Sequence, residues 1–360
     1  MTLPAAVPGR AVVVGTGLIG GSVGLSLRSL GWKVSGIDRD PAREARALEV
    51  GAVDVLGRDA GADLVVVATP LGAVEGAVRE ALSWLGSEAV VTDVAGVKAP
   101  LARAIDDPRY VGGHPMAGSE ADGLEGAVAG LFTGATWVLT PTERTAPEAF
   151  ARVRDVCAAL GSEVVALPPE RHDELVAVVS HVPHLVAAAL VRQAAAAAAE
   201  QPVLMRLAAG GFRDMTRIAA GHPGIWPDVC AANAPAILAA LDDLEGQLAE
   251  LRSLVAAADR GRLFDVLAAA RRTRRHLPAG ARLVEHLAEL RVVVPDEPGV
   301  LAAVTTCAGE RGVNLFDLEI AHSAERDGGL LLLVVDARAA TDLAEVLRAR
   351  GFRVTVEDLP

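Results

Sequence analysis

A glycine-rich stretch near the N-terminus constrains the fold of this chain more than any other feature. Residues 15–22 read Gly-Thr-Gly-Leu-Ile-Gly-Gly-Ser. They follow an apolar β-branched run at 11–14 and open a stretch of apolar periodicity at 23–30. This order predicts a buried strand, a tight turn and a helix, which is how a parallel α/β sheet that binds a dinucleotide begins.

The same stretch indicates how a dinucleotide would be held. Gly15 permits the turn, Gly17 lets the backbone approach a pyrophosphate, and Gly20 lets helix and strand pack closely. Free N–H groups at the helix start face the phosphates, and Asp38, which ends a second strand at 33–37, can bind the ribose hydroxyls. We therefore expect NAD as cofactor, bound by Gly15, Gly17, Leu18, Ile19, Gly20, Asp38, Thr69 and Asp93.

The first of three predicted domains covers residues 1–167. Strands and helices alternate there, which is typical of a Rossmann-type doubly wound parallel sheet. Further strands are predicted at 63–68, 89–93, 110–114 and 136–140. Thr69, Asp93 and His114 follow or end such strands, so we expect them to gather near the nicotinamide at the carboxyl edge of the sheet.

The remaining chain predicts a helical domain at 168–287 and a small domain at 288–360. Ala-rich helical periodicity, clearest at 187–201 and 233–258, replaces the strands, and so apolar a helical domain predicts a homodimer. The last domain reads as a βαββαβ sandwich. Its strands are predicted at 291–294, from 312–315 onward, at 330–335 and at 352–356, and its helices at 300–310 and 343–350.

Composition excludes several classes of partner. The net charge of −12 argues against nucleic acid and anionic membranes, since both require a basic surface. The three cysteines are scattered, which indicates neither a disulfide framework nor a metal site and favours a reducing cytoplasm. No cleavable leader is recognisable, and glycine or charged residues interrupt the apolar runs, so no membrane span is expected.

Three short stretches contain candidate catalytic and binding residues. His114, in Gly-His-Pro at a strand end, can act as the base that alcohol oxidation requires; the alternative is a loop histidine that caps a turn. His181 and His184 lie about one helical turn apart. A zinc site completed by His172 is the alternative there, but no acid or thiol stands at ligand spacing, so no metal is predicted.

The third stretch, residues 210–217, places Arg213 and Arg217 four residues apart on one helix face. Arginine clamps a carboxylate well because its planar fork binds both oxygens. A surface pair with Asp214 explains Arg213 equally well. Trp226 follows and is either a core residue or a pocket wall.

Taken together, these stretches resemble the prephenate/arogenate dehydrogenase family of tyrosine biosynthesis. The resemblance implies NAD-dependent oxidative decarboxylation of a small-molecule substrate, prephenate or alternatively arogenate. It implies that His114 accepts the proton of the ring hydroxyl, that His184 and Arg217 line the substrate site, and that Arg217 binds the ring carboxylate. Further substrate residues implied are Ser119, Glu120, Ser180, Arg213 and Trp226, with Glu120 guarding the site and Trp226 reaching the neighbouring pocket in family dimers.

The C-terminal unit resembles an ACT domain through its turn at 296–301 and Gly312-Val313-Asn314. We expect tyrosine to bind there and inhibit, with Asp296, Gly299 and Val300 at a helix start for its carboxylate and Asn314 for its amino group. Such units pair edge to edge, so the ligand would lie at a subunit boundary. The alternative is that this domain only strengthens dimerisation.

One position departs from the family pattern. The family reads Asp-x-Gly-Ser-Val-Lys after the fourth strand, and its serine hydrogen-bonds the catalytic histidine or the substrate hydroxyl; here Gly96 stands in the place of that serine. Water, Ser119 or Thr92 could replace it. A β-hydroxyacid dehydrogenase would need a lysine in the helical domain, and none follows Lys98. A non-catalytic sensor of NAD and an amino acid is the remaining alternative.

Overall fold

The computed structural model describes residues 8–118, 123–275, 287–295, 297–315, 317–322 and 328–359. Its contacts divide the chain into two compact units, one up to Ser253 and one from Leu254 onward. Ser119, Glu120 and Asp296, which the sequence singled out, lie outside the described residues.

An eight-stranded sheet forms the centre of the first unit. Its strands are β1 Arg10–Val14, β2 Lys33–Ile37, β3 Val55–Leu56, β4 Leu64–Val67, β5 Val90–Asp93, β6 Tyr110–Pro115, β7 Thr136–Thr140 and β8 Glu163–Ala166. Their spatial order is β3-β2-β1-β4-β5-β6-β7-β8, so the predicted Rossmann-type sheet is confirmed. Strands β3 and β8, which close its two edges, were not predicted.

Five helices connect these strands: α1 Leu18–Ser29, α2 Pro41–Glu49, α3 Leu71–Trp84, α4 Ala99–Ala104 and α5 Pro147–Ala159. Strands β1, β4 and β5 are buried on both faces because helices cover both sides of the sheet. The expectation that every neighbour is parallel is wrong at β6 and β7, which run antiparallel. The described part of the segment joining them contains one short 3₁₀ turn and no α-helix that could carry the chain back for a parallel pairing.

Helices then replace strands, as the sequence predicted. They are α6 Pro169–Val176, α7 Val182–Glu200, α8 Gly210–Thr216, α9 Trp226–Ala232, α10 Ala234–Ala256 and α11 Arg260–Arg275. A π-helical turn, Ala177–His181, joins α6 to α7 without a break. Pro183 lies just after this turn and lacks the N–H that a regular helix would use there.

The continuous helical segment Pro169–Glu200 is, by length and composition alone, apolar enough to cross a membrane. This contradicts the expectation that charged residues interrupt every such run. Core helices of folded proteins pass the same test. His172, Asp173 and His181, in the N-terminal half of this segment, are buried within the first unit, whereas the apolar window as a whole is 28% buried.

The second unit contains the predicted βαββαβ arrangement. Its elements are β9 Leu287–Pro295, α12 Val300–Glu310, β10 Asp317–His322, β11 Gly328–Asp336, α13 Ala337–Ala349 and β12 Arg353–Leu359. The sheet order is β10-β11-β9-β12, with every pair antiparallel. Buried leucines at 290, 333, 343 and 347 form its core.

The strand expected to begin at 312–315 is displaced. Gly312 has a φ of 64°, a left-handed conformation that ends α12, and 313–315 form a connection without ladder bonds. Strand β10 begins only at Asp317.

Candidate functional site

A cavity of about 830 Å³ opens at the carboxyl ends of β1, β2 and β4. This is the edge at which parallel sheets bind ligands. The helical part of the same unit supplies the opposite wall. The predicted site residues that line the cavity are Gly15, Gly17, Leu18, Ile19, Asp38, Thr69, His114, Ser180 and Trp226. His181, His222 and Gly96 line it as well.

The turn between β1 and α1 has the features of a phosphate cradle. No side chain caps the first turn of α1, so its N–H groups stay available for an anion. A Cβ atom on Gly17 would meet nothing within 4 Å, which leaves room for a ligand. Gly20 instead packs against the sheet: its Cβ atom would overlap the Gly15 carbonyl oxygen and lie 3.0 Å from Ala68 Cβ. The side-chain oxygen of Thr69 is buried without a partner at the cavity wall. These residues fit a dinucleotide.

Asp38 directly follows β2 and lines the cavity beside this turn. Its Oδ2 accepts hydrogen bonds from the Thr16 N–H, at 2.8 Å, and from the Thr16 hydroxyl, at 3.1 Å. Its Oδ1 lies 3.5 Å from a guanidinium nitrogen of Arg43. Arg39 and Arg43 both line the cavity beside it. The carboxylate is thus fixed in place, with two cations next to it.

His114 lines the cavity, and its ring is hydrogen-bonded on one side to another histidine. Its Nδ1 is 2.8 Å from Nε2 of His172, and Nδ1 of His172 is 2.7 Å from Oδ1 of Asp173. Asp173 in turn accepts the backbone N–H groups of Lys98 and Ala99, each at 2.8 Å. The side of the ring that carries Nε2 faces Gly96, where an added Cβ atom would lie 3.6 Å from Nε2.

The surroundings of His114 keep its ring neutral. Burial lowers the pKa of His114 well below its ordinary value, and the nearby Lys98 ammonium lowers it further. A neutral ring retains a lone pair. His114 can therefore accept a proton from a ligand in the cavity.

Asp93 does not reach the cavity, so the expectation that it binds the cofactor is wrong. Its carboxylate is fully buried and accepts hydrogen bonds from the Lys98 ammonium, the Tyr110 hydroxyl at 2.7 Å and the Ala95 N–H at 2.8 Å. Lys98 also donates to the Gly113 carbonyl at 2.7 Å, immediately before His114. Burial raises the pKa of Tyr110 well above its ordinary value, and the Asp93 charge adds to the shift. This ion pair fixes the end of β6.

The π-turn brings a second histidine to the wall. In a regular α-helix residues 172 and 181 would lie on opposite faces; a π-turn adds a residue and rotates His181 back toward the site. The side-chain amide nitrogen of Asn233 is 3.2 Å from His181 Nδ1 and donates to the Asp173 carbonyl at 2.8 Å. Burial lowers the pKa of His181, so its ring is neutral as well.

Trp226 lines the cavity of its own chain and stacks on His184, with ring centroids 3.7 Å apart and 13° between the planes. His184, Arg213 and Arg217 are not among the residues that line the described cavity. Both arginines are exposed. The structure thus gathers His114, Ser180 and Trp226, and leaves the two arginines outside.

The zinc alternative finds no support in the described part of the chain, where no group of three His, Cys, Asp or Glu side chains is arranged to hold a metal ion. Both ring nitrogens of His172 contact protein side chains, those of His114 and Asp173. The sequence interpretation weighed His172 only as a zinc ligand and did not single out Asp173. A local signal was present, because His172 and Asp173 lie in the first turns of the helix that begins at Pro169.

The candidate regulatory residues lie in the second unit. Gly299 has a φ of 92° and directly precedes Val300, the first residue of α12. Asn314 is exposed and follows the opposite end of α12, which is about 16 Å long at 1.5 Å per residue. The expectation that Asn314 lies close to the helix start of the same chain is therefore wrong.

Comparison with known proteins gives consistent matches. The family model of the prephenate dehydrogenase nucleotide-binding domain matches residues 23–166, and that of the prephenate dehydrogenase dimerization domain matches 168–269. A prephenate dehydrogenase of Bacillus subtilis is 32% identical over 334 residues, covering 89% of this chain and 90% of that protein.

Two solved structures share the fold of about three quarters of the chain. One is a prephenate dehydrogenase from A. aeolicus in complex with hydroxyphenyl propionate and NAD+, 31% identical with a TM-score of 0.69, covering 74% of this chain and 97% of that one. The other is Synechocystis arogenate dehydrogenase, 34% identical with a TM-score of 0.65, covering 74% and 99%.

Proposed function

This chain belongs to the prephenate dehydrogenase family, and from that premise we propose that it oxidises and decarboxylates prephenate with NAD+, giving 4-hydroxyphenylpyruvate for tyrosine biosynthesis. The observation that carries the proposal is the neutral His114, whose Nε2 lies at the wall of the cavity that contains the dinucleotide cradle. Bound NAD+ would supply the hydride acceptor. Loss of the ring carboxylate as CO2 aromatises the ring and makes the reaction effectively irreversible.

The chain's own residues would bind the cofactor, orient the substrate and accept the proton of its hydroxyl group. Gly17 and the α1 N–H groups hold the pyrophosphate and Asp38 the ribose hydroxyls. Nε2 of His114 accepts the hydroxyl proton as the carbonyl forms. The Lys98–Asp93 pair keeps His114 in position through the Gly113 carbonyl. That Arg217 binds the ring carboxylate, with His184, Arg213, Ser119 and Glu120 near the substrate, stays a prediction.

Arogenate is the second candidate substrate, favoured by the similarity to the Synechocystis arogenate dehydrogenase. It carries the same ring and hydroxyl, so the same base would serve. We propose NAD+ over NADP+, because the Asp38 carboxylate would repel a 2′-phosphate. Arg39 and Arg43 at the same corner oppose this preference.

Turnover by the purified full-length chain tests the proposal, with prephenate and arogenate each supplied with NAD+ or NADP+. We expect NADH formation with prephenate and a higher kcat/KM for NAD+. His114→Asn should lower kcat by about 10²- to 10⁴-fold with little change in KM. Near-normal turnover by this variant would refute the role of His114, and an inactive wild-type chain would refute the function.

The pKa of His114 sets the direction in which activity and stability change with pH. Since burial lowers the pKa of His114, the base should stay unprotonated at pH 7 and lose activity only as the pH falls to values below about 6.5, the ordinary histidine pKa. The free energy of unfolding should also decrease in that range, because the unfolded chain binds the proton more readily.

We further propose a cytoplasmic homodimer that tyrosine inhibits. Exposed apolar side chains of the helical part, among them Leu207 and Met215, support a second copy as partner. The βαββαβ order supports an ACT-like unit. Because Gly299 and Asn314 lie at opposite ends of α12, one tyrosine could bind both only across two paired copies.

A further inference from the structure

Behind the cavity, three side chains form an unbroken hydrogen-bonded line from His114 to a carboxylate. His172, its middle member, lies on the first turns of α6 and is fully buried. The line runs from Nδ1 of His114 to Nε2 of His172, and from Nδ1 of His172 to Oδ1 of Asp173. It joins residues 58 positions apart in the chain.

The chemistry of the three groups orders the protons along this line. An ionised carboxylate only accepts, so Nδ1 of His172 must carry the proton that it shares with Asp173. With a single proton, at Nδ1, His172 presents a lone pair at Nε2, to which Nδ1 of His114 donates. This leaves Nε2 of His114, on the ligand side, as the nitrogen without a proton.

We propose that His172 is a positioning residue that holds His114 in the tautomer with a free Nε2. The proposal rests on the function inferred above, in which His114 is the proton acceptor. When Nε2 accepts the hydroxyl proton, the N–H at Nδ1 keeps its bond to His172. Asp173 then stabilises the resulting imidazolium through His172.

Asp173, at the end of the line away from the cavity, is held by several hydrogen bonds. Both oxygens of Asp173 accept backbone N–H groups at the start of α4, and Asn233 donates to its carbonyl. Substituting Asp173 would therefore disturb α4 as well as the line. Variants of His172 isolate the effect.

Three variants separate positioning from packing. His172→Leu removes the hydrogen-bond acceptor of His114. His172→Gln retains a side-chain oxygen that can accept a hydrogen bond from Nδ1 of His114. Val176→Ala reduces the packing of the same buried helix and leaves the hydrogen-bonded line intact. We expect kcat to fall about 10²-fold or more in His172→Leu, as when the partner that holds a catalytic histidine is lost. His172→Gln should recover most of this loss.

The pH dependence of kcat/KM is the measurement that a loss of packing alone would not change. Without an acceptor at Nδ1 the imidazolium of His114 is less stable, so the acid limb of kcat/KM should move to lower pH in His172→Leu. It should stay near the wild-type position in His172→Gln and Val176→Ala. The other titratable groups close enough to affect the pH of this acid limb are Lys98, His181, Asp173 and Asp93.

The proposal is overturned if His172→Leu has the kcat of the wild type and the same acid limb in its kcat/KM profile. It is also overturned if both His172 variants lose only as much activity as Val176→Ala and their acid limbs do not move. A second measurement needs no substrate. ¹⁵N NMR of the histidine rings in the full-length wild-type chain, assigned with His114→Asn, should show His114 protonated at Nδ1 and not at Nε2. The opposite tautomer would refute the line, whereas an inactive wild type with this tautomer would refute only the proposed function.

Discussion

At the scale of single residues, the absence of a side chain at Gly96 leaves Nε2 of His114 open on that side. A Cβ atom added there would lie 3.6 Å from Nε2, an ordinary contact, so Gly96→Ser should change the free energy of unfolding by only about 0.5 kcal/mol. Because His172 already holds the other nitrogen, we expect kcat to change by less than about threefold. Thermal unfolding and steady-state kinetics measure both, and Gly96→Ala separates the Cβ atom from the hydroxyl. A tenfold fall in kcat for Gly96→Ser alone would show that the hydroxyl competes for the lone pair.

At the scale of elements, the turn between β1 and α1 contains two glycines with different tasks. A Cβ atom on Gly20 would overlap the Gly15 carbonyl oxygen, so Gly20→Ala should lower Tm by about 5 °C or more through overpacking. A Cβ atom on Gly17 meets only open space. Gly17→Ala should therefore leave Tm unchanged and raise KM for NAD+ about tenfold or more, since it fills the approach to the pyrophosphate. Equal effects of the two substitutions on Tm, or an unchanged KM in Gly17→Ala, would contradict this division.

At the scale of the whole molecule, the proposed dimer and the proposed inhibition by tyrosine depend on each other. Light scattering should give twice the 37.0 kDa of one chain. Tyrosine should inhibit the full-length enzyme, and Asn314→Ala should reduce this sensitivity while kcat/KM without tyrosine stays unchanged, because Asn314 lies in the second unit. A ligand there acts only by binding two arrangements of the dimer with different affinity. If Asn314→Ala remains equally sensitive, tyrosine competes at the catalytic cavity and the regulatory proposal fails.

The sequence by itself determined the elements whose signals are local. The β1–α1 turn, most strands of the large sheet, the helical part and the βαββαβ order could all be predicted, because glycine positions and apolar periodicity act over a few residues. The position of His114 at a strand end followed in the same way.

Only the tertiary structure decided which side chains meet. Asp93 ends a strand just as Thr69 follows one, yet Lys98 and Tyr110 bind it within the core, because a buried lysine needs an opposite charge. His172 reaches His114 because the start of α6 packs against α4 behind the sheet edge. Such pairs depend on how distant segments pack, and no local pattern in the chain records that.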